Sequence, residues 1–437
     1  MRRLLPATLS AAMAFSVLAA APTDRPEQAQ RGLQQASVAT AADTTTAQPR
    51  VVVSPIDSGI NPYHEAFDVD VPAVDEHVLA EFGIDEEHIL HISDDYDADL
   101  AAGVYADVEE HELYWFAGTN ILAWSVNFGD RPFLPDDSGD THGTGVTGAV
   151  LAANPDAIVL FVEGMTDTGV SADAERYAFT HPGVDIVTTS YGFFTSAPLG
   201  ALAGSYEGVV EMGKLHFGAS ANDPTLAPSD GTSGPWWAIG IAGFGEGEDG
   251  GGGKETFSGT APDFVADWTQ DLPYCDTCTE GTESVSGTSF ATPRSAGVAS
   301  AVLLEARRAA GHLGGVTDGL LVTSDDGGIS NWQLRRALEE GAAVPPQVDR
   351  AGLTEVPVNS IAPYAQVGWG LITADPEQAV VENTLAALSG QTFKDAATCD
   401  FMTHYMTLRF AAWDANPLSD SFGQTNAVEN TSGYLPC

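Results

Sequence analysis

Two short runs are apolar with no alternation, Val51-Val52-Val53-Ser54-Pro55-Ile56 and Ala157-Ile158-Val159-Leu160-Phe161-Val162, and residues 184–190, 215–220 and 238–241 read as further β-rich runs. A strand with one wet face alternates polar and apolar residues, so an unbroken apolar run reads as a strand covered on both faces. The segments between the runs are long enough for crossovers. Residues 143–153 and 172–180 read as helices, the first stopping at Asn154-Pro155. Strands alternating with helices imply a mostly parallel sheet with helices on both faces, an α/β fold. Pro55 lacks a ladder donor, so the first strand is expected to bend or lose pairing just before Asp57. Residues 289–310 read as a long buried helix, and Ser330-Asn331-Trp332-Gln333 as a capping box opening another.

Three motifs carry chemistry. Ile56-Asp57-Ser58-Gly59 ends the first strand; alone, such an Asp is ordinary turn chemistry. Asp140-Thr141-His142-Gly143-Thr144-Gly145 sets a His at a helix start among glycines, where a structural His is an equal alternative. Ser286-Gly287-Thr288-Ser289-Phe290-Ala291-Thr292-Pro293 sets a Ser at the head of an apolar helix, where the bland reading is an N-cap. Together they fit one demand. A serine hydroxyl is a poor nucleophile at neutral pH and needs an adjacent base with a pKa near 7, which imidazole supplies. A buried carboxylate then holds the His tautomer and stabilises the imidazolium.

The order Asp, His, Ser differs from that of chymotrypsin-like and α/β-hydrolase enzymes and is that of the subtilisins. On these motifs the chain resembles the subtilisin-like serine protease family (subtilases, peptidase family S8), from about Val51 to Gly368-Trp369-Gly370-Leu371. The resemblance implies a three-layer subtilisin-like fold and a serine endopeptidase with Asp57, His142 and Ser289 as its triad. It implies an oxyanion-hole role for Asn222, in Gly218-Ala219-Ser220-Ala221-Asn222-Asp223, and a substrate-pocket border at Ser190, Tyr191 and Gly192. Its partners would be protein or peptide substrates. The competing reading is a catalytically silent scaffold of the same fold that binds peptides. A third, the related acid peptidases with Glu and Asp in place of the His, is disfavoured by His142 and Asn222.

Departures from the family stand beside the matches. Residues 68–137 hold 19 of the chain's 61 carboxylates and one base, Arg131, and read as an acidic insertion between the Asp and His motifs. Within it Asp95-x-Asp97-x-Asp99 is reminiscent of a calcium loop, but Leu100 stands where an EF-hand needs Gly, so a solvated acidic surface is preferred. The family's calcium loop after the His helix reads as deleted. No metal or cofactor is therefore assigned, although a calcium site is left open.

The 61 acidic against 17 basic residues give a net charge of -44, which repels nucleic acid and anionic membranes. Salt adaptation and plain acidic composition both account for it. Residues 1–21, with Arg2-Arg3, an apolar run and Ala19-Ala20-Ala21, read as a Sec-type signal peptide, with twin-arginine export as a second option. Localisation is thus expected to be secreted, with no membrane span. Residues 22–49 read as a short disordered leader, 50–385 as the peptidase domain and 386–437 as a tail. In an exported chain the four cysteines favour disulfides over zinc. Pairing each with its near neighbour, Cys275 with Cys278 and Cys399 with Cys437, is one of three connectivities. A Cys275–Cys278 bridge is expected to stiffen the approach to Ser289. The oligomeric state stays open.

Overall fold

The apolar runs become strands of one sheet. A computed structural model of the chain describes residues 47–126, 131–135, 141–166, 169–192, 201–222, 232–245, 253–254, 262–323, 327–343 and 367–414. Its strands are β1 (Val52–Asp57), β2 (Ile89–Leu90), β3 (Leu113–Phe116), β4 (Ile121–Ser125), β5 (Ile158–Glu163), the antiparallel pair β6 (Met165–Thr166) and β7 (Gly169–Val170), β8 (Ile186–Thr189), β9 (Leu215–Ala219), β10 (Ile239–Gly245), β11 (Gly253–Lys254) and β12 (Phe264–Asp267). The sheet order is β11-β10-β9-β8-β1-β5-β4-β3-β2, and β12 also pairs with β10. From β4 through β5, β1, β8, β9 and β10 to β12 every pairing is parallel. The antiparallel pairings in this sheet, β3 with β4 and β10 with β11, lie toward its edges.

Two cores explain why the runs do not alternate. Val51, Val53, Val159, Phe161 and Ile186 face one core, shared with Ala296, Val298, Val302 and Leu303 of the helix Thr288–Ala310. Val52, Ile56, Ile158, Leu160, Val162 and Val187 face the other, shared with Ala174, Ala178 and Phe179 of the helix Ala172–Thr180. Both faces of each strand are thereby dry. The helix His142–Ala153 packs on Thr288–Ala310. A Cβ on Gly297 would lie 2.5 Å from the Val150 carbonyl oxygen and 2.8 Å from the Ala153 methyl, so that approach requires glycine.

β1 runs through Pro55 to Asp57. Its register is unbroken against β8 from Val53 to Ile56, but against β5 it passes over Ser54 and Pro55. There the Ser54 hydroxyl donates to the Leu160 carbonyl at 2.8 Å, a donor in the stretch where Pro55 has none. Pairing is thus interrupted on one side only, and the strand delivers Asp57 to its end.

The acidic segment is woven into the sheet more than the sequence indicated. β4 pairs directly with β5, and β3 and β2 extend that edge. Asp75, Asp85 and Asp95 are N-caps: each side chain accepts backbone N–H bonds from the helical turn that follows. Asp95, first in the calcium-like pattern, takes the Ala98 N–H at 3.0 Å. The segment read as a tail carries a helix, Ala396–Asp414, whose Met402 and Met406 lie in the larger core. Cys399 is disulfide-bonded; Cys437, its expected partner, lies outside the described residues, as do the signal peptide and most of the leader.

At the strand-start rim, Arg307 and Asp185 are fully buried and form a bidentate pair at 2.6 and 2.7 Å. The guanidinium also donates to the carbonyls of Arg50 and Leu321, while Asp185 accepts the Val52 N–H at 2.9 Å. A second buried pair, Arg335 with Asp263 at 2.9 Å, ties the helix Asn331–Gly341 to the start of β10 through the Gly240 N–H. The Ser330 capping box forms as the sequence implies.

Candidate active site

β5 lies on one side of β1 and β8 on the other, so the strand order reverses at β1. Crevices outside the carboxyl ends of strands at such a reversal are where open α/β sheets bind ligands. Asp57 ends β1, Ser190 follows β8 and Asn222 follows β9, all at this rim. The heads of the helices His142–Ala153 and Thr288–Ala310 meet them there: Asp57 bonds His142, Ser190 bonds Ser289 and Asn222 bonds Thr288.

Asp57 is fully buried, and both its oxygens lie 2.9 Å from His142 Nδ1. A buried carboxylate there requires the proton on Nδ1, which leaves Nε2 as the free base. Burial pushes the His142 pKa down, but the Asp57 charge and hydrogen bond more than offset it and hold the value above the ordinary 6.5. The acid limb of kcat/KM is therefore expected above pH 6.5, because only neutral imidazole can take a proton. A pH–rate profile with its limb at or below pH 6 would contradict this geometry. The linked stability has the opposite sense: the pair favours the fold most below the unfolded-state pKa, and that contribution is lost as pH rises through the folded value.

Ser289 is the second residue of its helix, and its hydroxyl donates to the Ser190 carbonyl at 3.1 Å, with no hydrogen bond to His142. The rings of His142 and Phe290 lie 5.4 Å apart, and Tyr274 packs edge-on against Phe290 at 5.7 Å. Hydrogen bonds between nucleophile and base are commonly long or misaligned without substrate and tighten in the complex. Pro293 has a further effect here. It lacks the N–H that would bond the carbonyl four residues back, that of Ser289, and the Ser190 hydroxyl donates to that oxygen at 2.7 Å. Ser190 thus grips the Ser289 residue at two points.

Asn222 is oriented by Thr288, which sequence reasoning did not single out. The Thr288 N–H and hydroxyl lie 2.9 and 2.8 Å from Asn222 Oδ1. A backbone N–H can only donate, so the amide oxygen must face Thr288 and Nδ2 is left for another acceptor. The Ser289 N–H, in the first helical turn, has no acceptor among the described residues. Asn222 Nδ2 and the Ser289 N–H both border Gly287, which stands at φ 150° and where a Cβ would lie 3.2 Å from the first nitrogen and 3.7 Å from the second. Ala221 holds φ 72°, a left-handed conformation uncommon outside glycine and often found at functional sites.

Cys275 and Cys278 are bridged, and their loop is tied to the segment after Asp57. Asn61 Nδ2 donates to the Cys278 carbonyl at 2.8 Å, the Glu65 N–H donates to Thr279 at 2.8 Å, and His64 Nε2 lies 2.6 Å from the Gly281 oxygen. The bridge therefore couples the Asp57 segment to Tyr274 and its ring contact with Phe290. Tyr191 donates to the buried Glu175 at 2.8 Å, and Gly192 is exposed at the rim. Among the described residues there is no cluster of three or more metal-ligating side chains, and no helix is long and apolar enough to cross a membrane.

A hydrogen-bonded Asp–His pair and a helix-head serine stand at the reversal of a parallel α/β sheet, and the family match makes the chain a serine endopeptidase. The chain belongs to the subtilase family, whose peptidase S8 model matches residues 48–343. Among solved structures it is similar to the prenylagaramide maturation protease PagA, at 16% identity and TM-score 0.45 over 83% of this chain and 99% of that one. It is also similar to a cold-adapted subtilisin-like serine proteinase, at 17% identity and TM-score 0.43 over 69% and 85% of the two chains. Fervidolysin from Fervidobacterium pennivorans, a keratinolytic enzyme related to subtilisin, matches at 16% identity and TM-score 0.46 over 82% of this chain and 45% of its own. Curated proteins yield no match.

Proposed function

We propose that the chain is an exported endopeptidase that cleaves protein or peptide substrates through an acyl-enzyme on Ser289. His142 Nε2 takes the hydroxyl proton as Ser289 Oγ bonds to the scissile carbonyl carbon, and the carbonyl π pair moves onto oxygen. Asn222 Nδ2 and the Ser289 N–H meet that oxyanion, favoured further by the helix N-terminus. As the oxyanion collapses the C–N bond breaks, and His142 gives its proton to the departing amine. Water repeats the sequence and frees the acid. Asp57 holds the Nδ1–H tautomer throughout, and Ser190, Tyr191 and Gly192 border the pocket for the residue before the scissile bond. The observation that carries this reading is the fully buried Asp57 carboxylate with both oxygens at 2.9 Å from His142 Nδ1.

Export is supported by the charged, apolar and small-residue pattern of residues 1–21 and by a disulfide, which persists in oxidising compartments. A fluorophosphonate probe should label Ser289 and abolish hydrolysis; undiminished turnover with Ser289 unlabelled would overturn the assignment. Asn222→Leu should lower kcat about 10²–10³-fold with KM little changed, the scale found for the like change in subtilisin. Steady-state kinetics on one peptide checks it, and an equal rise in KM with kcat unchanged would place Asn222 in ground-state binding instead.

A further inference from the structure

His216 lies in the apolar strand β9 and takes no part in the chemistry above, yet it is 1% exposed with both ring nitrogens hydrogen-bonded. Nδ1 is 2.8 Å from the Ser205 hydroxyl and Nε2 is 2.9 Å from the Thr189 hydroxyl. Ser205 also accepts the Trp237 indole N–H at 2.9 Å. On the other side Thr189 donates to Thr232 at 2.8 Å, and Thr232 donates to the Tyr191 carbonyl at 3.2 Å. Thr189, Ser205, His216 and Thr232 are each at most 2% exposed.

The carbonyl at the Tyr191 end sets the direction of this relay. An indole N–H can only donate and a carbonyl can only accept. Thr232 spends its one hydroxyl proton on Tyr191 and so accepts from Thr189; Thr189 directs its proton to Thr232 at 2.8 Å, with the Phe217 carbonyl a longer second acceptor at 3.4 Å, and so accepts from His216. His216 then carries its proton on Nε2 and leaves Nδ1 to accept from Ser205, whose hydroxyl donates there while one of its two lone pairs takes the Trp237 N–H. One tautomer satisfies every member. Burial agrees, holding the ring neutral with its pKa pushed down to about 3. The far end lies at Tyr191, next to Ser190, which contacts both the hydroxyl and the carbonyl of Ser289.

We propose that Trp237, Ser205, His216, Thr189 and Thr232 form a one-way buried hydrogen-bond relay that positions the Ser190–Tyr191 wall of the substrate cleft, with His216 as its positioning residue. The relay ties together two sheet strands, the helix Ala201–Tyr206 and the segment leading into β10. It sets the Tyr191 carbonyl from behind without touching the reacting atoms. Loss of a member should loosen substrate binding and leave the Asp57–His142 pair intact.

The proposal rests on Ser289 being the nucleophile, and the experiment separates the two. Wild type, Thr232→Val, His216→Leu and His216→Gln are titrated with a fluorophosphonate, so that only folded active sites are counted. kcat and KM are then measured on peptides that differ in the residue before the scissile bond. Thr232→Val and His216→Leu should each raise KM about tenfold, the scale of one lost buried hydrogen bond, with kcat changed much less and discrimination between the peptides blunted. His216→Gln, which can still donate toward Thr189, should recover part of the loss. Thr232→Val removes a single hydroxyl, so it decides the matter even if His216→Leu does not fold. KM and discrimination unchanged in Thr232→Val overturn the relay. Fewer titratable sites with KM unchanged in the remainder also overturn it, since that is a purely structural effect. A wild type that cleaves peptides without labelling at Ser289 sinks the nucleophile assignment instead.

Discussion

Ser289→Ala is expected to lower kcat by about 10⁶-fold, and adding His142→Ala to that variant should cost almost nothing more. On the proposed mechanism a base without its nucleophile, or a nucleophile without its base, supplies none of the covalent route, so the two residues should act as one unit. The magnitude is that of the like changes in subtilisin and is carried over on family membership. What survives should be the contribution of oxyanion donors and substrate binding, about 10³–10⁴ over water. Single-turnover kinetics on protein purified away from host proteases provides the check. Hydrolysis by Ser289→Ala that is readily measurable in steady state would move the nucleophile elsewhere.

Arg307→Met should destabilise the fold by about 3–5 kcal/mol, because it strands the Asp185 carboxylate without its counter-ion in a site closed to water. Arg307→Met with Asp185→Leu should recover most of that loss. An apolar pair of similar volume removes the stranded carboxylate, although the Val52 N–H then loses its acceptor, the Arg50 and Leu321 carbonyls lose their donor and the buried Lys214 loses the Asp185 charge, which keeps the double variant about 1–3 kcal/mol short. Denaturant midpoints at one pH decide the matter. A double variant no better than the single would mean that the pair is worth more than the desolvation it suffers.

Much of the sheet could be read before any coordinates, because strands covered on both faces are rich in apolar and β-branched residues with little alternation, as β1, β5 and β8 are. The helix Ala172–Thr180 falls where its pattern placed it. The exceptions have physical causes. β4 lay inside a stretch whose charge drew attention to its surface, and the caps that explain Asp75, Asp85 and Asp95 are signals of one or two residues. Asp57, His142 and Ser289 stood out through their order. Thr288 did not, since its task of turning the Asn222 amide exists only once β9 and the Ser289 helix meet. His216 offered a hint, a titratable ring inside an apolar run. Its partners at positions 189, 205 and 232 share no spacing with it, so only the folded chain brings them together.

The helix Thr288–Ala310 carries the serine at one end and Arg307 near the other, about 27 Å apart at 1.5 Å per residue. Changes at sites so far apart, sharing no partners, usually add as independent increments. Tolerance to heat and choice of substrate can therefore drift separately in this lineage, each retuned at its own end of a common strut without reopening the other.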